Sequence, residues 1–156
     1  MQDTRNVDEA VQRLTALSVD YSDSGGARPF YFAVGLHRPH MKWSVPERFL
    51  DLQRDVAEIA LATHRVHQHG VTPWAFYNCT ALFDRKQVAA YVNTSAETGH
   101  GDVADPDLAR TIRRYYYAAV MYADEQIGRL LAGLDAAGLY DTTLVVLHSD
   151  HGILGL

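Results

Sequence analysis

The chain has 156 residues, 47% hydrophobic and 21% charged, with 14 Lys and Arg against 19 Asp and Glu for a formal charge of −5. That length suits one domain, and that apolar share builds a core and argues against disorder. The acidic balance argues against a general nucleic-acid or membrane-surface role, no apolar stretch reaches the roughly 18 residues of a membrane span, and the single cysteine, Cys79, rules out an internal disulfide and a cysteine-based zinc site.

Taken in chain order, Val7, Ala10, Val11, Leu14 and Leu17 fall at helical spacing, with Asn6 as the N-cap and Asp8 and Glu9 in the first turn. Tyr21 to Arg28 is a loop by composition. Pro29 then opens the run Phe30-Tyr31-Phe32-Ala33-Val34-Gly35, which predicts a strand over 29–35, and Leu36-His37-Arg38-Pro39-His40 follows directly. Val45 to Leu52 predicts a short helix with Pro46 in its first turn. Patterning is weaker from 54 to 104, where Val56 to Leu61 and Phe83 to Val92 read as helical and Thr94 to Ala104 as a polar surface loop.

Asp105-Pro106-Asp107 is an acidic cap followed by Pro, which predicts the start of a helix over 107–136. Its apolar stripe is Ile112, Tyr116, Ala119, Ala123, Ile127, Leu130, Leu131 and Leu134, expected to pack on a sheet, with Gly138 as the C′ residue. Thr142-Thr143-Leu144-Val145-Val146-Leu147 predicts a second strand over 143–148, which runs into His148-Ser149-Asp150-His151-Gly152. A strand, a long crossover and a strand imply parallel pairing with a right-handed connection. Two strands cannot bury both faces, so such a sheet needs further strands.

In open α/β sheets ligands sit beyond the carboxyl ends of the strands. His37, His40, His148 and His151, four of the eight histidines, fall at these two predicted strand ends. Asp150 and His151 offer a carboxylate and an imidazole, part of a divalent-metal site; the plainer reading is a turn-capping Asp beside an exposed His. His40 follows Pro39, which fixes the backbone before it, and imidazole as a residue type changes charge near neutrality and so suits proton transfer; the plainer reading is a structural hydrogen-bonder. His64, His67 and His69 read as a solvated cluster rather than a metal tract. Asn78-Cys79-Thr80 and Asn93-Thr94-Ser95 match the N-glycosylation pattern, read here as chance.

Pro29 to His40, Leu144 to Gly152 and the helix from Arg113 to Gly128 together resemble the sulfatase family, most closely its iduronate-2-sulfatase-like branch. That branch carries an apolar strand ending in G-x-H-K-P-H, a long helix, and a strand ending in S-D-H-G. The resemblance covers roughly residues 7 to 52 and 105 to 152, so 1–156 is expected to be a partial sulfatase domain with a variable region at 53–104. It implies an alkaline-phosphatase-like α/β fold of three layers, with parallel strands and a long crossover helix. Such domains are several times longer than this chain, which is expected to be an interior piece.

The implied activity is metal-dependent hydrolysis of an organic or sugar sulfate ester. The resemblance makes His40 the catalytic residue that contacts sulfate and serves proton transfer to the leaving alcohol. Arg38 joins it in substrate binding, in place of the family's Lys, with a planar fork suited to sulfate. Asp150 and His151 become two ligands of a calcium ion, which needs more donors than these two. The family nucleophile is a formylglycine made from the Cys of C-x-P-S-R; Asn78-Cys79-Thr80-Ala81-Leu82 lacks that pattern, so Cys79 is not the nucleophile. After Gly152 the sequence reads Ile153-Leu154-Gly155-Leu156 and departs from the family's L-G-E-H-G. Two alternatives are a zinc-dependent phosphoesterase or phosphonate hydrolase of the same superfamily, and a non-catalytic fragment that acts only as a folding or interaction unit.

Overall fold

Two amphipathic stretches of the sequence become two long helices. The computed structural model describes residues 1–40, 43–61, 63 and 106–152. In chain order these form α1 (Gln2–Asp23), α2 (Arg48–Asp51), a 3₁₀ turn at Val56–Glu58, α3 (Pro106–Ala136) and a 3₁₀ turn at Tyr140–Thr142. They fall into two compact units, Met1–Gln53 with Tyr116–Asp150, and Arg54–Tyr115 with His151–Leu156. No described helix is long and apolar enough to cross a membrane.

Helix α1 is longer at both ends than the apolar spacing predicts. It starts at Gln2 with Met1 as its cap, so Asn6 is interior. The reason is tertiary: the buried stripe runs Asp3, Val7, Ala10, Leu14, which brings the first turn into the packed face, and packing stabilises most helices. The helix also continues through Tyr21 into the residues read as loop, and it stops where glycines permit. The Gly26 amide bonds the Tyr21 carbonyl and the Gly25 amide bonds the Ser22 carbonyl, both at 2.9 Å, with both glycines at positive φ. That pair of bonds is the Schellman ending.

Helix α3 starts at Pro106, as the Asp-Pro-Asp pattern predicts, and ends in the same way. Gly138, at φ 68, bonds Asp135, and Leu139 bonds Leu134. Leu134 and Leu139 then join Leu14 in one buried cluster, with Tyr21, Phe30 and Phe32 packed against it. A second cluster holds Phe49, Ala118 and Tyr122, where the Phe49 and Tyr122 rings meet edge to face at 5.5 Å. Through it α2 docks on α3, helped by a two-oxygen ion pair from Arg48 to Glu125 at 2.6 and 2.8 Å.

The two helices run parallel. Going up α1, Thr4 meets Tyr122, Asp8 pairs with Arg129, Val11 faces Gly133, and the Ser18 hydroxyl donates to the Ala137 carbonyl. This contact widens the buried stripe of α3 beyond the predicted one, of which Ile112, Ala119, Ala123 and Leu134 are buried. Ala118, Ala119, Tyr122, Ala123 and Gln126 are buried, whereas Tyr116, Ile127, Leu130 and Leu131 are only half-buried.

The predicted parallel strands at 29–35 and 143–148 are not formed among the described residues. Residues 30–37 do alternate half-buried and exposed along the chain, the period of a strand lying on a helical layer. Phe30 and Phe32 face inward, and Tyr31 is 93% exposed. In the second segment Thr143 has extended backbone, yet Leu144 to Leu147 are all exposed, Leu144 at 89%. A strand is defined by ladder bonds to a neighbour, and neither segment has one among the described residues, so side-chain pattern survives there without pairing. The three-layer sheet expected from the resemblance is therefore absent from the described residues.

In the second unit, Ile59 and Ile112 are buried, and the Arg110 Nε donates to the Ile59 carbonyl at 3.2 Å. The helix predicted over 56–61 is only the 3₁₀ turn Val56–Glu58. The predicted helix at 83–92, the loop at 94–104, the His64, His67 and His69 cluster, Cys79 and both glycosylation patterns lie outside the described residues.

Candidate active site

Residues 37–40 form a turn at the end of the alternating segment. The His40 amide bonds the His37 carbonyl at 2.9 Å, and the two imidazoles lie 4.7 Å apart, tilted by 36°. The Arg38–Pro39 peptide is cis. His37 and His40 are exposed while Arg38 and Pro39 between them are half-buried, so the turn presents its imidazoles outward.

Two contacts from outside hold the backbone of the turn, and a third runs from the Arg38 side chain to the segment after it. The Asp3 carboxylate, on the first turn of α1, accepts the His37 amide at 2.8 Å. The Trp43 indole donates to the Pro39 carbonyl at 2.8 Å, and its ring meets Tyr116 of α3 edge-on at 6.0 Å. Arg38 donates through Nε and Nη2 to the Ser44 carbonyl, at 3.2 and 3.1 Å. The guanidinium fork thus clips the loop that follows, a task a Lys point charge does less well. The family resemblance implies a sulfate contact at Arg38; the geometry shows it holding the loop.

Asp3 is the residue that the sequence reading missed. It is 2% exposed, and a buried carboxylate is expensive unless it accepts hydrogen bonds. The signal was available, because Asp3 precedes Val7, Ala10 and Leu14 at helical spacing and is an acid on an apolar stripe. Starting the helix at Val7 hid it.

The other predicted cluster is not assembled in the same way. Asp150 closes the first unit, His151 belongs to the second, and both are exposed, with His151 Nδ1 3.0 Å from the Gly152 carbonyl oxygen. Among the described residues no three His, Cys, Asp or Glu side chains are gathered as a metal site. The structure thus brings His37, Arg38 and His40 into one clamped turn and, among the described residues, gathers no third donor with Asp150 and His151.

The model of the family described as Sulfatase matches residues 2–155. The chain belongs to the sulfatase family. This sulfatase chain is 34% identical to human iduronate 2-sulfatase over 152 residues, which is 97% of the chain and 26% of that relative. It is 28% identical to the choline-sulfatase of Rhizobium meliloti over 143 residues, 92% of the chain and 25% of the relative. Against human arylsulfatase K the identity is 25% over 171 residues, 99% of the chain and 27% of the relative. The sulfatase chain spans about a quarter of the length of these curated relatives.

Proposed function

We propose that this chain carries part of the active site of a sulfatase that hydrolyses an organic or sugar sulfate ester. The observation that supports the reading is the clamped His37–His40 turn, in a chain matched to the family over residues 2–155. When the S–O bond to the alcohol breaks, the leaving oxygen needs a proton. His40, exposed at the tip of the turn, supplies it and contacts the sulfate. Arg38 holds positive charge beside it while keeping the loop closed through Ser44.

Asp150 and His151 are proposed as ligands of a divalent ion, calcium in the family reading, whose chemistry is to stabilise charge on the sulfate oxygens. Calcium takes six to eight oxygen ligands, and one carboxylate with one imidazole does not meet that demand. No third donor is gathered with them among the described residues, so the chain alone does not fit the ion. The nucleophile, a formylglycine in the family reading, belongs to a C-x-P-S-R segment that these residues do not contain. In the same reading residues 29–35 and 143–148, unpaired with one another here, become parallel strands of a layered α/β domain beside further strands, and 53–104 is its variable part.

The test is sulfate release from an aryl sulfate by a full-length sulfatase polypeptide that contains these residues. His40→Ala lowers kcat by about 10²- to 10⁴-fold, the usual worth of a positioned acid; an unchanged kcat refutes its role. Asp150→Ala removes the calcium-dependent part of the rate, and an unchanged calcium response refutes that assignment. Residues 1–156 alone give no turnover in this reading.

A further inference from the structure

We infer that Asp3 is the positioning residue of the His37–His40 turn, an assignment that rests on the sulfate-ester reading of that turn. Nothing in the packing of α1 calls for an acid at this position. Val7, Ala10 and Leu14 continue the same buried stripe with apolar side chains. What the carboxylate adds is a hold on a main-chain amide 34 residues away, at the 2.8 Å of a charge-assisted bond. The amide lies on a segment that has no strand neighbour among the described residues to accept its proton.

The hold is transmitted in two steps. Asp3 fixes the entry to the turn at His37; the His37 carbonyl then takes the His40 amide, and the His37 ring lies against the His40 ring. Asp3 itself is placed by the next residue. The Thr4 amide and hydroxyl both bond the hydroxyl of Tyr122, which is 1% exposed in the middle of α3. A fixed point in the buried core is thereby linked through one carboxylate to the orientation of an exposed imidazole. Asp3 does not touch substrate in this scheme; it sets where His40 points.

The experiment is NMR on the full 156-residue chain, reading the His37 amide, the His37–His40 ring-to-ring Overhauser contacts, and the His40 imidazole during titration with inorganic sulfate. Asp3→Ala, Asp3→Asn and the exposed control Asp20→Ala are compared, with far-UV circular dichroism to confirm that helix is retained. In Asp3→Ala the His37 amide moves upfield and loses exchange protection, the ring contacts weaken, and the sulfate affinity read at His40 falls by about tenfold, within the range that misplacement costs. Asp3→Asn keeps an acceptor oxygen and recovers much of the affinity, which a charge effect on sulfate alone would not produce. Should Asp3→Ala lose helix, Asp3→Leu, which fills the buried position without an acceptor, is read in its place.

Ring contacts and sulfate response that stay unchanged while the His37 amide signature is lost overturn the positioning role. A wild-type chain whose His40 does not respond to sulfate overturns the sulfate reading instead, and Asp3 is then judged on the ring contacts alone.

Discussion

Replacing Gly133 by Ala tests the helix contact on which the placement of α1 depends. In isolation the change favours a helix by about 1 kcal/mol, because Ala loses less backbone freedom than Gly. Here a Cβ at Gly133 would lie 2.8 Å from Val11 Cγ2 and 3.1 Å from Cγ1. Carbon atoms prefer about 3.5–4.0 Å, so the overlap is roughly 1 Å. Val is the wrong residue to yield, since a β-branched side chain in a helix keeps one strongly preferred rotamer. The helices must separate, and overpacking of this kind costs about 1–3 kcal/mol. The balance is a loss of about 1 kcal/mol, a fall of about 2–4 °C in Tm for a chain of this size. Urea unfolding followed by helix circular dichroism measures it. Val11→Ala in the same chain removes both offending methyls, so the double variant loses less than the two single losses added. A Gly133→Ala chain that gains about 1 kcal/mol would show that the helices do not meet there.

Three further outcomes follow from the same contacts. Tyr122→Phe leaves the Thr4 amide and hydroxyl without their shared partner and lowers stability by about 1–3 kcal/mol in the same unfolding assay; a loss below a few tenths would mean water replaces the phenol. Arg38→Lys keeps the charge but not the fork on Ser44, so the Ser44 and Trp43 signals broaden in NMR spectra while the Tm changes by less than about 2 °C, as expected for a half-exposed contact; sharp, unshifted signals would contradict the clip. Glu125→Gln breaks an ion pair in contact with solvent and costs less than about 1 kcal/mol, and a larger loss would mean that α2 docks by charge rather than through Phe49.

The helices were the most legible part of the chain. Pro106 and Gly138 bracket α3 as the sequence predicts, because the signals that start and stop a helix are local and need no knowledge of neighbours. The extension of α1 to Gln2 was not legible, since it depends on Tyr122 and His37 reaching it from far along the chain. The strands were legible as pattern only. Alternation at 30–37 survives because it requires just one layer beneath, whereas ladder bonds require strands that these residues do not supply to one another. At the candidate site, histidines and their spacing marked the turn, but what holds it did not show: Asp3, Trp43 and Ser44 contribute a carboxylate, an indole and a main-chain oxygen that carry no motif.

The parallel contact between α1 and α3 has a consequence for which changes of length the chain tolerates. From Thr4 through Val11 to Ser18, α1 touches α3 at both ends and in the middle, like a rod seated in three notches. Removing one residue between the outer two contacts would slide one end of the helix by about 1.5 Å and turn it by about 100° relative to the other. Either Ser18 or Thr4 then misses its notch, and in the second case Asp3 leaves the amide it holds. A deletion or insertion after Gly26 disturbs none of these three. Length variation among chains built this way should therefore collect at residues 27–28 and stay out of residues 4–18.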